Sequence, residues 1–448
     1  MFKIKENGSN VRTEIIGGVT TFFAMAYIIF TNAYILGDVF GAEHLVALSV
    51  ATCISAAIGT ALTAFLGNVP FAQAPGMGLN AFFTYTVCFG MGFTWQQALA
   101  IVFVSGLIFL ILTISPLRSK IIASIPAPLK AAIGGGIGLF IALIGLLNSD
   151  LTVTSNTFDV DAVSGVSLSG ILDMGALNAG TLLVLIGLVI ISVLMAWKVK
   201  GAIFIGIVAT ALIGIPMGVT NTAVDFSGYM ASIASVKDIM FKLDFSIFAN
   251  PAVLAPLATA LITFVICDMF DTVGTLIGTA GNAGMLDENG NLPGGDRALI
   301  ADAIATVTGS LMGTSTVTTF VESSTGIAEG ARTGLASLTT SILFLLAVFL
   351  APLTQVIPTQ ATAPALIIVG VLMMKSVLKI DWSDIEVAVP CFLTVAGMPF
   401  FYSIADGIGF GFISYTIIKV CRGKFREVPV LMYILSAAFV AMYVLTNI

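Results

Sequence analysis

The sequence contains very little charge for its length. Only 9% of its 448 residues are Asp, Glu, Lys or Arg, whereas 58% are hydrophobic. Because a soluble domain carries about 25% charged residues, this chain could not cover the surface of a soluble protein. Apolar runs such as 181–197 have the length that a bilayer demands. The alternating segments typical of a β-barrel are absent. We predict an all-α polytopic membrane protein embedded in the lipid bilayer.

The sequence also lacks the residues of a metal site or a disulfide framework. Its five cysteines are scattered without a CxxC pair, and its single histidine, His44, lies at a predicted span boundary. Such sites need closely spaced ligands or paired cysteines, so we expect no cofactor. A membrane enzyme would need a nucleophile–base pair or a metal cluster. We therefore expect no enzymatic activity, and nucleic acid is not an expected partner.

Basic residues are almost confined to one side of the predicted topology. With a cytoplasmic N-terminus, all but two of the eighteen Lys and Arg residues fall on the inner side, and the exceptions are Lys237 and Lys242. The segment 149–180 contains four aspartates and no basic residue, as an outer loop should. The positive-inside rule then predicts a multi-pass protein of the plasma (inner) membrane with its N-terminus in the cytoplasm.

The hydrophobic pattern predicts about fourteen membrane segments. Twelve are continuous spans: 15–37, 45–67, 96–115, 128–148, 179–197, 201–218, 253–282, 297–312, 335–357, 363–378, 385–402 and 406–421. Two more, about 72–92 and 314–331, are interrupted by Gly, Pro and polar residues. The last apolar run, 428–446, is either an additional span or a helix along the surface, and both alternatives stay open.

The two interrupted segments occupy matching places in the two halves of the chain. They contain "VPFAQAPGMGLNAFFTYT" (69–86) and "TSTVTTFVESSTGIAEG" (314–330), each third in its half. Seven segments per half is an odd number, so the second half would cross the membrane in the opposite sense. Such paired, interrupted segments are typical of transporters with inverted repeats. The alternative is two glycine-rich packing helices, but packing does not explain the carboxylates.

Each interrupted segment is predicted to contain an extended piece and a half-helix. Pro75 lacks a donor and Gly76 and Gly78 relax the backbone, so a half-helix would begin near Gly78. The β-branched residues of 316–319 favour a strand, with a half-helix from about 322–324. Two half-helices that meet at mid-membrane would aim their N–H groups at one cavity.

Acidic residues are the candidates for lining that cavity. Glu322 stands at the start of the second half-helix, and Asp268, Asp271 and Thr272 lie on neighbouring faces of one predicted helix. Since an aspartate within a span costs about 2.5–3.5 kcal/mol, it should face a cavity or a partner. We expect a functional role for Glu322 and Asp268. For Asp271, function and the bracing of neighbouring helices are equally weighted.

Three further charged residues receive structural interpretations. Asp302 would bond the backbone of an interrupted segment or relay protons, and we prefer the first. Glu329 and Arg332, three residues apart near the inner surface, are predicted to form an ordinary helix-end ion pair.

The polar residues favour a small neutral or cationic solute. The middle of the predicted membrane segments contains carboxylates but no Lys or Arg, which disfavours binding of a polyanion. A carboxylate in apolar surroundings can carry a proton and accept bonds from ring N–H groups, while Asn80 offers a donor and an acceptor. Phe82, Phe83 or Phe320 could stack a flat ring. The pattern indicates, more weakly, a planar heterocycle moved with a proton.

Several motifs together resemble one transporter family nearly end to end. They are "RTEIIGGVTTFFAMAYI" (12–28), "APGMGLNAFFTYTV" (74–87), "DMFDTVGTL" (268–276), "RALIADAIAT" (297–306), "GTSTVTTFVESSTGIAEGARTGL" (313–335), "ATAPALIIVG" (361–370) and "SIADGIGFGFISY" (403–415). The chain resembles the AzgA-like purine permeases, within the nucleobase–cation and nucleobase–ascorbate symporter group.

That resemblance implies two inverted seven-segment repeats, with short strands in broken segments 3 and 10. It implies a core domain built from 1–120 and 251–360 and a gate domain built from 121–250 and 361–448. The gate domain is often the dimer contact in relatives, so a homodimer is a candidate assembly.

The resemblance also implies an activity, which is proton-coupled uptake of guanine, hypoxanthine or adenine. Residues assigned to the base are Asp268, Glu322, Asn80, Thr272, Phe320 and Val321; those assigned to proton coupling or structural support are Asp271, Asp302 and Ser323. The "APGMGLNAFF" sequence favours guanine and hypoxanthine. The alternatives are an adenine- or uracil-selective symporter of the same fold, or an anion transporter of related fold.

Overall fold

The computed structural model describes residues 2–115, 124–155, 158–160, 166–168, 171–222, 229–287 and 292–446. Its α-helices are α1 Val11–Met25, α2 Ile28–Phe40, α3 Leu45–Leu62, α4 Met77–Ala81, α5 Trp95–Ile114, α6 Ala127–Asn148, α7 Ala179–Ala196, α8 Ala202–Gly214, α9 Tyr229–Ala234, α10 Leu254–Asn282, α11 Gly295–Met312, α12 Ser323–Ala328, α13 Gly334–Ala347, α14 Thr359–Met373, α15 Ile385–Phe400, α16 Ile404–Cys421 and α17 Val430–Thr446. Its strands are β1 Gln73–Pro75, β2 Thr152–Ser155, β3 Phe158–Val160, β4 Val166–Leu168, β5 Ile171–Met174 and β6 Val317–Thr319.

Long apolar helices make up most of the described chain, as a membrane protein requires. Nine helices among the described residues are long and apolar enough to cross a membrane. The shorter α8 and α15, the more polar α11 and the two interrupted segments complete the fourteen predicted segments. This confirms the polytopic helical class.

The first membrane segment has a break that the sequence analysis did not foresee. The predicted span 15–37 consists of α1 and α2, separated by a turn at Ala26 and Tyr27. The amides of Phe30 and Thr31 both donate to the Tyr27 carbonyl at 3.1 Å. A carbonyl that accepts from residues three and four positions later marks a locally tightened turn. The break places the Tyr27 side chain inside the bundle, where it is 1% exposed.

The two interrupted segments meet as an antiparallel pair of strands. In β1 and β6, Gln73 lies opposite Thr319 and Pro75 lies opposite Val317. Backbone bonds extend the pair at both ends, from Gly76 N to the Thr316 carbonyl and from Phe320 N to the Ala72 carbonyl, both at 3.0 Å. Non-helical backbone within a membrane must find partners in the protein, and each strand supplies the other's. The predicted strands are confirmed.

A half-helix follows each strand, as predicted. The first, α4, begins at Met77 and continues as a π-helix over Phe82–Gly90. The second, α12, begins at Ser323. Two flanking helices approach the strands through glycines. A Cβ on Gly59 of α3 would lie 2.9 Å from Gln73 Oε1, and one on Gly309 of α11 would lie 2.6 Å from Val317 Cγ2.

The last helix, α17, runs antiparallel to α16 along most of its length. Ser436 Oγ lies 2.8 Å from Thr416 Oγ1, and further along α17 the Tyr443 hydroxyl donates to the Asp406 carbonyl at 3.4 Å. A helix of 17 residues is about 25 Å long, which matches its neighbour. The run 428–446 is therefore a helix packed along α16, and whether it crosses the membrane stays open.

The predicted outer segment 149–180 forms two short antiparallel pairs, β2 with β5 and β3 with β4. The boundaries between the core and gate domains stay a prediction. The first of them, between residues 120 and 121, lies outside the described residues.

Candidate substrate-binding site at the paired strands

A single carboxylate joins the two strands to helix α10. Asp302 Oδ1 accepts from Gln73 Nε2 at 3.0 Å and from Thr319 Oγ1 at 3.1 Å, while Oδ2 accepts from Thr272 Oγ1 at 2.8 Å. Gln73 lies in β1 and Thr319 in β6, and all four side chains are buried. Asp302 thus bonds the interrupted segments through their side chains, where the sequence analysis had expected their backbone. We call Asp302 the brace, because its buried carboxylate bonds both strands to helix α10.

Thr272 belongs to the same network. Besides its bond to Asp302, its hydroxyl lies 2.8 Å from Thr318 Oγ1. A predicted base-contacting residue therefore already has two side-chain partners, and its contact with a substrate stays a prediction.

Asp268, one turn earlier on α10, is bonded on only one side. Its Oδ2 accepts from Thr306 Oγ1 at 2.8 Å, whereas its buried Oδ1 has no hydrogen-bond partner. Asn80 has the complementary arrangement: Oδ1 accepts from the Ser315 hydroxyl, and the buried Nδ2 donor has no partner. A buried polar group without a partner costs about 1–3 kcal/mol. Two predicted site residues therefore present an unused acceptor and an unused donor.

Helices α4 and α10 are in contact beside these two residues. The Phe82 ring packs edge-on against Phe264, with ring centroids 4.8 Å apart. Phe82 and Phe83 are both fully buried, so they form packing around the site in this conformation.

Glu322 lies at the start of α12 and accepts a bond from across the molecule. The Tyr27 hydroxyl donates to Glu322 Oε1 at 2.8 Å, joining residues 295 positions apart in the sequence. The Glu322 side chain is half-buried.

Exposed residues of α10 and α12 lie beside Glu322, and we call this exposed face the opening. It comprises Asp271, Gly274 and Gly278 of α10, Val321 just before α12 and Ser324 within α12. Val321 is 54% exposed, and a Cβ on Gly274 or Gly278 would meet no atom within 4 Å. Because a carboxylate avoids lipid, we expect this face of α10 to border a cavity rather than the bilayer.

Two of the predicted residues hold the first interrupted segment in place. The Ala72 carbonyl accepts from the Phe320 amide, and the Ala72 amide donates to Ser323 Oγ, both at 3.0 Å. Ser323 therefore bonds the first interrupted segment, and its predicted role in proton coupling or structural support stays a prediction. The Phe320 amide is occupied, so its predicted contact with a base would involve its carbonyl or ring.

The predicted ion pair between Glu329 and Arg332 is wrong. Glu329 Oε1 lies 2.6 Å from Lys200 Nζ, and Arg332 Nη1 donates to the carbonyls of Ile327 and Ala331, both at 2.7 Å. The polypeptide turns after α12, which keeps the guanidinium on nearby carbonyls. The loop before α8 brings Lys200 to the carboxylate instead.

A polar cluster with aromatic neighbours lies at the opposite end of the bundle. The Tyr85 hydroxyl donates to Asp38 Oδ2 at 2.6 Å and accepts from Asn148 Nδ2 at 3.2 Å. Its ring centroid lies 5.7 Å from that of Tyr402. These contacts join α2, the π-helix after α4 and α6. At the end of the bundle nearer the N-terminus, Ser9 Oγ donates to the Gly330 carbonyl at 3.3 Å.

Sequence reasoning missed four residues of this site, namely Tyr27, Gln73, Thr306 and Ser315. Thr306 had a usable signal, because it follows Asp302 by four positions and so shares its helical face. The others depend on contacts between distant segments.

Comparison with known proteins agrees with this architecture. A model described as "Permease family" matches residues 12–401. A guanine/hypoxanthine permease of Bacillus subtilis, PbuG, is 42% identical over 99% of this chain and 98% of its own length. An adenine permease of Escherichia coli, AdeQ, is 38% identical over 100% of this chain and 96% of its own.

Solved transporter structures share the fold. The transmembrane domain of the cyanobacterial bicarbonate transporter BicA superposes with a TM-score of 0.64 at 17% identity, covering 89% of this chain and 97% of that one. This confirms the predicted fold of inverted repeats with core and gate domains. By its sequence match over residues 12–401 and its relatives of near-equal length, the chain belongs to the permease family.

Proposed function

We propose that this protein takes up purine nucleobases, guanine and hypoxanthine foremost, as a proton-coupled alternating-access symporter in which Asp268 and Glu322 hold the base. The observation that carries the proposal is the pair of unpartnered atoms, Asp268 Oδ1 and Asn80 Nδ2. The edge of a nucleobase alternates donors and acceptors, so one flat ligand could satisfy both.

The sequence relatives support the substrate class. PbuG bears the name of a guanine/hypoxanthine permease, and identity to it reaches 42% over nearly the whole chain. The likeness to BicA, at 17% identity, concerns the fold alone. The side chains bonded to one another at the site are acids, amides and hydroxyls, which suit a neutral base better than an anion.

Adenine is a second candidate. AdeQ, named as an adenine permease, is 38% identical over the full chain. Adenine differs from hypoxanthine at position 6, where an amino donor replaces a carbonyl acceptor. The two substrates therefore require different partners from Asn80, whose amide can present either group.

The proposed coupling ion is a proton carried by a carboxylate of the site. Glu322 and Asp271 are both acids of this exposed face, and adding a proton to one of two neighbouring carboxylates lowers the repulsion between them. In the proposed orientation, with the N-terminus cytoplasmic in the plasma (inner) membrane, the opening faces the cytoplasm. We further propose a homodimer through the gate domain.

The test is uptake of labelled hypoxanthine by protein reconstituted in vesicles. We expect uptake to rise when the outside is made acidic and to fall to background with a protonophore. Competition by unlabelled guanine, adenine and uracil then ranks the bases. Failure of folded protein to take up any purine would overturn the proposal, and a preference for adenine would establish the second candidate.

A further inference from the structure

Thr316, the residue before β6, has a buried hydroxyl to which we have so far given no role. The residue is 0% exposed, and its Oγ1 has no hydrogen-bond partner in the part of the chain that the structure describes. Its backbone is held in place, because the Thr316 carbonyl accepts from the Gly76 amide at 3.0 Å. A buried hydroxyl without a partner is unfavourable, so its presence needs an explanation.

The two faces of the strand pair contact different helices. Val317 packs against α11, where a Cβ on Gly309 would lie 2.6 Å from Val317 Cγ2. Thr318 lies on the other face, with its Oγ1 2.8 Å from Thr272 Oγ1 of α10. Side chains alternate between the faces along a strand. Thr316, two residues before Thr318, therefore shares the face toward α10 if the alternation extends beyond β6.

Gly76 shows that the alternation does extend to Thr316. Pro75 pairs with Val317, so the next residue along the ladder, Gly76, lies opposite Thr316, and the bond between their backbones continues the pair. Directly opposite residues point to the same face of a strand pair. A Cβ on Gly76 would lie 2.6 Å from Thr318 Cγ2, so the face of Gly76 and Thr316 is that of Thr318.

Asp268 lies on α10 one turn before Thr272, and Thr306 shows its level along the strand. Thr306 Oγ1 lies 2.8 Å from Asp268 Oδ2 and 3.1 Å from the Val317 carbonyl oxygen. The step from Thr272 to Asp268 along α10 thus leads back along the second strand toward Thr316. The unpartnered Asp268 Oδ1 and the unpartnered Thr316 hydroxyl are brought to the same part of the strand pair.

Asn80 approaches the same stretch from α4. Its Oδ1 accepts from the hydroxyl of Ser315, the direct neighbour of Thr316. Among the described residues, the strand from 315 to 317 is therefore flanked by three buried atoms without partners, namely Asp268 Oδ1, Asn80 Nδ2 and Thr316 Oγ1. One is an acceptor, one is a donor, and the hydroxyl can be either.

We infer that Thr316 is a further substrate-binding residue, whose hydroxyl bonds the base between Asp268 and Asn80. The inference rests on the proposed function and deepens it. A polar edge of a planar base presents several donors and acceptors side by side. Three unpartnered atoms of mixed type around one strand suit such an edge, and binding would satisfy all of them.

A hydroxyl reserved for a ligand predicts opposite effects on stability and on binding. Thr316→Val keeps the β-branched shape and removes a hydroxyl that bonds to nothing in the empty protein. We expect its thermal midpoint in detergent, measured without substrate, to equal or exceed that of the wild type. Its affinity for labelled hypoxanthine in equilibrium binding to purified protein should fall about three- to tenfold, because one neutral hydrogen bond is lost.

Two further variants separate the hydroxyl from the shape of the side chain and from its burial. Thr316→Ser keeps the hydroxyl, so its hypoxanthine affinity should stay within about threefold of the wild type. Thr113→Val is the matched control, because Thr113, in the last turn of α5, is also buried and its Oγ1 is also without a partner among the described residues. It lies outside the proposed site, so its loss should leave the affinity unchanged.

The outcomes that overturn this inference differ from those that overturn the proposed function. A fall in affinity of less than about threefold in Thr316→Val, or an equal fall in Thr316→Ser or Thr113→Val, would show that the Thr316 hydroxyl does not bind the base. A lower thermal midpoint of Thr316→Val, or its failure to fold, would show that the hydroxyl already supports the empty protein, and would overturn the inference as well. Absence of any purine binding to the folded wild type would instead overturn the proposed function.

Discussion

Asp302 and Glu322 are both acids at the paired strands, but they differ in burial and in the number of hydrogen bonds that their carboxylates accept from the protein. Asp302 is fully buried, and its two oxygens accept from three side chains. Glu322 accepts from one side chain, Tyr27, and borders the opening. A carboxylate whose bonds are all made inside the protein stabilises the fold, whereas one with unused acceptors can bind a ligand.

Asp268 shows that burial alone does not separate these roles. It is 2% exposed, almost as buried as Asp302, yet its Oδ1 has no partner. We therefore expect the number of unused acceptors to distinguish the proposed binding acids, Asp268 and Glu322, from the bracing Asp302. The following changes test that distinction, beginning with the largest expected effect.

Removal of the brace should have the greatest consequence. Asp302→Ala leaves Gln73, Thr272 and Thr319 without their buried acceptor, which should cost about 3–5 kcal/mol of folding stability. We expect little folded protein in the membrane and a lower thermal midpoint in detergent. The control is Asp150→Asn, at an exposed position in the segment 149–180, because asparagine tolerates the positive φ of 56° at this residue. Full stability of Asp302→Ala would show that the network is not a brace.

Removal of the binding acids should leave the protein folded but inactive. We expect Glu322→Ala and Asp268→Ala each to weaken hypoxanthine binding about 10- to 150-fold, because a charged acceptor for the base is lost. The control is Glu43→Ala, on the exposed surface between the first two membrane segments. Wild-type affinity in either site variant would remove that residue from the binding site.

The neutral partner should matter less than the acids. Asn80→Ala removes an uncharged donor, so hypoxanthine affinity should fall about fivefold. Measuring the hypoxanthine affinity of Asn80→Ala and of Glu322→Ala side by side ranks the contributions of the two residues. A greater loss in Asn80→Ala than in Glu322→Ala would mean that the amide, not the carboxylate, is the principal contact.

The ion pair near the mouth of the opening should have the smallest effect. The side chains of Lys200 and Glu329 are 54% and 31% exposed, and partly exposed pairs contribute about 0–1 kcal/mol. A double-mutant cycle on thermal stability should detect coupling between Glu329 and Lys200 and none between Glu329 and Arg332. The reverse result would restore the pair expected from the sequence.

Much of the fold was predictable because its causes are local. The apolar runs set the membrane segments, and Pro75, Gly76 and the β-branched run 316–319 marked both breaks. The register of β1 on β6 was not predictable, because residues such as Gln73 and Thr319 are 246 positions apart and nothing local selects their alignment.

The acids of the site were predictable as a set, but their individual roles were not. An aspartate within a span signals a polar environment whether it braces or binds. Tyr27 was missed because an aromatic residue in an apolar run has the composition of ordinary packing. The pairing of Glu329 was misjudged because an i, i+3 spacing carries no information about Lys200, which a different loop delivers.

The most direct test is an experimental structure with hypoxanthine bound. We expect β1 and β6 paired beneath the base, with a ring N–H about 2.7–3.2 Å from a carboxylate oxygen of Glu322 and a second polar atom of the base bonded to Asp268 Oδ1. A base bound elsewhere, or one that leaves Asp268 Oδ1 and Asn80 Nδ2 still without partners, would contradict the account.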